Sequence, residues 1–185
     1  MDIASLIASL ESSAIATGIR NSLYLFPLIE SVHVIGVTMV FGTIVIIDLR
    51  LLGIASTTRP FTAVASDVFK WTWMAFAVAA TTGALMFATN ASTYYHSAYF
   101  RAKMVLLALS GVNMLVFELT ARRSIHAWDR DGSAPASGRT VAALSLVIWI
   151  AVMVTGRWIG FTTSSTPAQL DPKIDLEKLE ELLPK

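Results

Sequence analysis

The chain has 185 residues, of which 55% are hydrophobic and only 15% are charged, and its formal net charge is +1. Soluble domains carry about 25% charged residues, so this composition argues against a soluble core and favours a polytopic membrane protein. The absence of cysteine excludes disulfides and thiolate metal sites.

Residues 1–21 predict a short helix that lies in the membrane interface. Ile3, Leu6, Ile7 and Leu10 recur at helical spacing, opposite serines and Glu11. The segment has neither the basic start nor the long apolar core of a secretory signal, so we do not expect it to be cleaved.

Residues 22–161 contain four apolar segments, and roughly 20 helical residues suffice to cross about 30 Å of hydrocarbon. The predicted spans cover about 23–47, 71–94, 99–120 and 140–161. We therefore predict an all-α polytopic membrane protein built as a four-transmembrane-helix bundle. Residues 162–185 read as a linker followed by either a short amphipathic helix, capped by Asp171, or a solvated tail.

Lysines and arginines predict the orientation, because they favour the cytoplasmic side of a membrane. One side would hold Arg50, Arg59, Lys70, Arg122, Arg123, Arg130 and Arg139, and the other Arg20, Arg101, Lys103 and Arg157. This bias predicts cytoplasmic loops and periplasmic termini for a protein of the bacterial inner membrane.

The first span contains Glu30 and His33, three residues apart, and Gly36 follows after three more, so all three share one helix face. Ionisable groups at membrane depth usually face the bundle interior and have partners. Other polar side chains are predicted at the same end of the bundle: His96, Arg101, Lys103 and Arg157. At the opposite end we expect an ion-pair collar made of Asp48, Arg50, Glu118, Arg122 and Arg123.

Four interpretations of the Glu30–His33 face remain open. The pair could only fix helix packing. It could belong to a haem b site, with His33 as axial ligand, clearance beside Gly36, and Arg101, Lys103 or Arg157 on the propionates. It could bind copper or zinc through His33, Glu30 and His96. The fourth interpretation is a proton relay.

Two longer segments carry a resemblance to known proteins: "HVIGVTMVFGTIVIIDLRLLG", with His33, Gly36 and Gly42, and "YFRAKMVLLALSGVNMLVFELTARR", with Tyr99, Arg101, Lys103 and Asn113. With "GRWIGF" from Gly156 to Phe161, they resemble an uncharacterised family of small four-span bacterial inner-membrane proteins. More distantly, they resemble copper-resistance D-like membrane proteins. The resemblance covers roughly residues 22–161 and implies copper handling, or b-type haem and electron transfer.

We therefore expect an integral inner-membrane protein with a polar site in the outer half of its bundle, most consistent with haem b or redox-linked electron transfer. Copper binding or transfer is the alternative, and a structural or partner subunit is the second alternative. The sequence offers no catalytic residue and no nucleic-acid patch. Expected partners are the lipid bilayer and either a second copy of the chain or a redox partner subunit.

Overall fold

The computed structural model describes residues 2–131 and 133–164, and these residues form helices and connecting loops with no strand among them. The helices are α1 (Ile3–Glu11), α2 (Ala14–Asn21), α3 (Leu25–Leu52), α4 (Phe61–Thr89), α5 (Ala91–His96), α6 (Ala98–Leu119), a 3-10 turn (Ala121–Ser124), α7 (Ile125–Trp128) and α8 (Ala136–Ser164). The predicted amphipathic tail lies outside the described residues.

Four of these helices are long and apolar enough to cross a membrane: α3, α4, α8, and α6 together with the short turns that continue it to Trp128. This confirms the predicted all-α, four-span fold. The helix α4 begins at Phe61, ten residues before the predicted second span, because its polar first turns continue the same helix.

The four long helices run alternately up and down. The early part of α3 faces the late part of α4 at Gly36, and Asn113 of α6 donates a hydrogen bond to the Val141 carbonyl of α8. We call the end with the starts of α3 and α6 the His33 end, and the opposite end the Arg50 end. Between α4 and α6, aromatic rings bridge the gap, Phe87 to Phe100 at the His33 end and Phe61 to Phe117 at the Arg50 end.

Two apolar clusters fill the bundle. The central cluster consists of Val40, Ala75, Ile148, Trp149 and Val152. The Arg50-end cluster consists of Ile47, Leu51, Phe61, Ala65, Phe117, Ala121, Trp128, Ala134 and Ala142. Dense packing of this kind holds the helices in one register, and it places the polar residues between and beyond the two clusters.

Arg50 organises the loops at its end of the bundle. Its side chain is 0% exposed, and it donates hydrogen bonds to the carbonyl oxygens of Arg59 (3.0 Å), Asp131 (2.8 Å) and Asp129 (3.3 Å). The backbone N–H of Thr62, in the first turn of α4, donates to the Asp129 carboxylate (2.8 Å). Of the predicted ion-pair collar, Glu118 and Arg122 form an ion pair, whereas Arg50 holds loop carbonyls instead.

The N-terminal segment forms two helices. Ser13 precedes the first residue of α2 and caps that helix, because its hydroxyl oxygen accepts a hydrogen bond from the Ala16 N–H (3.3 Å). The Glu11 carboxylate accepts hydrogen bonds from the N–H and the hydroxyl of Ser92, each at 2.8 Å. Arg20 donates to the Thr89 carbonyl at the end of α4 (2.8 Å). The two helices are therefore fastened to the α4–α5 junction by side-chain hydrogen bonds.

Candidate functional site

His33 crosses from α3 to the backbone of α4. Its Nδ1 lies 2.9 Å from the Ala79 carbonyl oxygen and 3.1 Å from the Thr82 hydroxyl oxygen. A carbonyl oxygen only accepts hydrogen bonds, so the geometry assigns the proton of a neutral imidazole to Nδ1. The Nε2 atom then carries the lone pair, and it has no hydrogen-bond partner among the described residues.

Glycine at position 83 makes room for the imidazole. A Cβ atom added to Gly83 would lie 3.0 Å from Cε1 and 3.4 Å from Nδ1 of His33. Any larger residue would push the ring away from α4. The histidine ring therefore packs directly against the backbone of α4 at Gly83, where a side chain would collide with it.

Gly36 marks the close approach of α3 and α4. A Cβ atom there would meet the Ala79 backbone nitrogen at 3.2 Å and the Ala75 carbonyl oxygen at 3.3 Å. The clearance that the sequence predicts beside Gly36 is filled by α4. Gly36 thus contributes by bringing His33 within reach of the Ala79 carbonyl.

Lys103 extends from α6 toward α8 and is half-buried. Its Nζ lies 3.4 Å from the position that a Cβ atom of Gly156, on α8, would occupy. The ammonium is close enough to His33 for an electrostatic interaction. In the part of the chain that the structure describes, no carboxylate lies within ion-pair distance of Lys103.

Glu30 lies one turn further toward the His33 end and is exposed. Its charge interacts with Tyr94, whose pKa is raised, first by burial and then by the Glu30 carboxylate. No hydrogen bond joins Glu30 to His33 within the described ranges. The structure therefore places His33 and Lys103 within electrostatic range of each other, and Glu30 within electrostatic range of Tyr94.

The remaining predicted site residues lie on the surface. His96 is exposed, and its Nδ1 lies 2.8 Å from the Ser92 carbonyl oxygen, in an open depression at the His33 end. Arg101 is exposed, and the exposed Arg157 places its guanidinium 4.6 Å from the centre of the Phe161 ring. Across residues 2–131 and 133–162, no three His, Asp or Glu side chains are grouped as a metal ion would require.

The residues of α4 that complete the site are not predictable from the sequence alone. Ala79 acts through its backbone carbonyl, which any residue could supply, and Thr82 and Gly83 read as ordinary small residues of a membrane helix. The run "TTGAL", which follows an apolar stretch, is a sequence feature that could indicate a helix contact at this position. A threonine next to a glycine permits both a close approach of two helices and a hydrogen bond between them.

Residues 19–162 match the model of a family described as Family of unknown function (DUF6644). The chain belongs to this family. The match includes all four long helices and every residue of the His33–Lys103 site, while α1 precedes it. No curated protein and no solved structure matches the chain at a significant level. The similarity to copper-resistance D-like proteins therefore stays a prediction.

Proposed function

We propose that this member of the DUF6644 family is a redox-linked membrane protein that binds a b-type haem, with His33 Nε2 as its axial ligand. The supporting observation is the orientation of the imidazole. Histidines that bind metals commonly donate their other ring N–H to a carbonyl or carboxylate, which fixes the tautomer and makes the ligand nitrogen more basic. His33 does this with the Ala79 carbonyl, at membrane depth, and keeps Nε2 without a partner among the described residues.

The charge of the site also suits an anionic porphyrin. Lys103 lies in a predicted span, and no carboxylate of the described residues is within ion-pair distance of it. Cations in such positions usually serve an ion or a ligand. The Lys103 ammonium would hold a propionate, because a flexible lysine can position a single charge next to an oxygen anion. Arg101 and Arg157, both exposed at the same end, would face the second propionate or the lipid headgroups.

Haem, when bound, supplies one-electron transfer between its ferric and ferrous states. Groups of the chain itself would orient the histidine ligand and provide charge near the haem. The Ala79 carbonyl holds the imidazole in place, Gly83 keeps the ring against α4, and Lys103 provides positive charge. We infer one histidine ligand, His33, because His96 lies on the surface and its Nδ1 is 2.8 Å from the Ser92 carbonyl oxygen of its own helix.

The copper alternative has less support from the same residues. It needs Glu30 and His96 beside His33, but Glu30 interacts with Tyr94 and His96 lies in the surface depression. Two or three nitrogen and oxygen ligands that do not converge make a poor copper site.

The deciding experiment is an absorption spectrum of the protein purified from cells supplied with haem precursor, first oxidised and then reduced with dithionite. We expect a Soret band and sharpened α and β bands on reduction, both lost in His33→Ala and retained in the matched surface variant His96→Ala. A colourless wild-type protein, or a Soret band that survives His33→Ala, would overturn the proposal. Copper bound in a His33-dependent manner by the colourless protein would support the alternative.

A further inference from the structure

Asp48 is a second ionisable group at membrane depth, on the Arg50 side of the bundle and outside the His33–Lys103 site. It lies in α3, four residues before the helix ends at Leu52, and is 5% exposed. Its Oδ2 atom has no hydrogen-bond partner among the described residues. Buried carboxyl oxygens without a hydrogen-bond partner are rare in folded proteins, so this one requires an explanation.

Two other buried polar side chains accompany Asp48. Ser145 of α8, 8% exposed, lies close to the Asp48 carboxyl. Asn113 of α6, also 8% exposed, donates to the Val141 carbonyl one turn away from Ser145 (3.1 Å). The polar layer thus joins three helices.

Apolar side chains seal this layer on both sides. Ile47, adjacent to Asp48, belongs to the Arg50-end cluster. Ile148 and Trp149, one turn after Ser145, belong to the central cluster. The carboxyl is therefore isolated from the His33 end by packed hydrocarbon.

The charged groups around this end either have other partners or are exposed. On α3, Arg50 directs its donors to the carbonyls of Arg59, Asp129 and Asp131. On α6, Glu118 pairs with Arg122, and on α4, Asp67 pairs with Arg59. Lys70 of α4 and Arg139 of α8 are exposed. Among the described residues none forms an ion pair with Asp48.

An ionised carboxylate in this environment would lack both a counter-charge and hydration, which is strongly unfavourable in a low-dielectric interior. A neutral carboxylic acid avoids that cost, and its O–H can donate to the Ser145 hydroxyl oxygen. We propose that Asp48 is a proton-binding site of the bundle, whose carboxyl holds a proton between the two apolar clusters.

This proposal does not depend on haem binding, since Asp48 and His33 are 15 residues apart on the same helix, or about 22 Å. Intramembrane carboxyls that bind protons are typical of proton-transfer proteins. A proton site at the Arg50 end would give the protein a protonatable group on the side opposite the His33 site.

Infrared spectroscopy of the protein in lipid nanodiscs tests the proposal directly. We expect a carbonyl-stretch band of a protonated carboxylic acid at neutral pH, shifted in D2O, lost in Asp48→Asn, displaced in Ser145→Ala and unchanged in the exposed control Asp67→Asn. Because asparagine resembles the neutral acid in shape and charge, Asp48→Asn should keep the wild-type melting temperature.

Either of two results would overturn the proposal. One is the absence of an Asp48-dependent acid band in the wild type at neutral pH, with ionised carboxylate signal lost in Asp48→Asn. The other is a melting temperature that rises with sodium or potassium relative to choline in the wild type but not in Asp48→Asn, which would assign the site to a metal cation.

Discussion

The Nδ1 atom of His33 lies 2.9 Å from the carbonyl oxygen of Ala79, so a side chain of one membrane helix is held by the backbone of the next. That carbonyl already belongs to the hydrogen-bond ladder of α4, and its second lone pair accepts the imidazole proton. The bond fixes both the tautomer and the direction of Nε2. The chemistry available to the site therefore depends on how closely α3 approaches α4.

Replacement of Gly83 by alanine should dislodge the His33 ring. The added Cβ would lie 3.0 Å from Cε1, so the ring must move and its hydrogen bond to Ala79 must lengthen or break. We expect the NMR signal of the His33 Nδ1–H proton, assigned by its loss in His33→Gln, to disappear or shift strongly. Gly111→Ala is the matched control, because a Cβ there meets no atom of the described residues within 4 Å. An unchanged signal in Gly83→Ala would show that the ring is not seated on α4.

Replacement of Gly36 by alanine should weaken the α3–α4 contact itself. Its Cβ would press on the backbone of Ala79 and Ala75, which cannot move aside as a side-chain tip could. Overpacking of this kind costs about 1–3 kcal/mol. The free energy of unfolding in mixed detergent micelles should fall by that amount. A Cβ on Gly42 meets no described atom within 4 Å, so Gly42→Ala should leave the free energy of unfolding unchanged or raise it by up to about 1 kcal/mol. Equal effects of the two substitutions would refute the close approach.

The four helices were predictable because hydropathy and helical period are local properties that each segment carries by itself. The same holds for the shared face of Glu30, His33 and Gly36, which follows from their spacing. What Gly36 and His33 contact was not predictable, since the contacts are backbone atoms of α4. The sequence identifies Ala79 only as one more alanine in an apolar run.

The contacts of Arg50 and Asp48, toward the Arg50 end of the bundle, were likewise not predictable from the sequence. Counting charges suggested an ion-pair collar, and Glu118 with Arg122, four residues apart on one helix, does form such a pair. Arg50 instead reaches carbonyls that loop geometry brings together from distant parts of the chain, and Asp48 is buried beside Ser145. Pairs within one turn can be derived from spacing, whereas pairs that depend on loop closure cannot.

The orientation predicted from lysines and arginines can be tested in the cysteine-free chain with single introduced cysteines. Thr93→Cys lies at the His33 end and Ser124→Cys at the Arg50 end, and both positions are exposed. With periplasmic termini, a membrane-impermeant maleimide should label Thr93→Cys in intact cells and label Ser124→Cys only after lysis. The reverse pattern would invert the topology and place the His33 site in the cytoplasmic half.

Replacement of Arg50 by alanine should be strongly destabilising. Hydrogen bonds to charged groups contribute about 1.5–3 kcal/mol each, and the substitution leaves three carbonyl oxygens without this donor in a buried place. We expect a loss of about 3–5 kcal/mol in the free energy of unfolding, with little rescue by Arg50→Lys, because lysine lacks the planar fork of donors. In contrast, Arg59→Ala removes an exposed ion pair with Asp67 and should cost less than about 1 kcal/mol. A small effect of Arg50→Ala would show that the loops hold together without it.

The attachment of α1 to α5 should weaken in acid. The backbone N–H of Ser92, then its hydroxyl, hold the pKa of Glu11 below its ordinary value of 4.5. A carboxyl whose pKa is lower in the folded than in the unfolded state stabilises the fold above the unfolded value and loses that effect as pH falls through the folded value. The melting temperature of the wild type should therefore exceed that of Glu11→Gln at neutral pH, and the difference should shrink below about pH 4.5. In a Ser92→Ala background the neutral-pH difference should already be smaller, because one of the two hydrogen bonds is gone. A difference that stays constant from pH 7 to pH 3 would mean that the charge of Glu11 does not hold α1 in place.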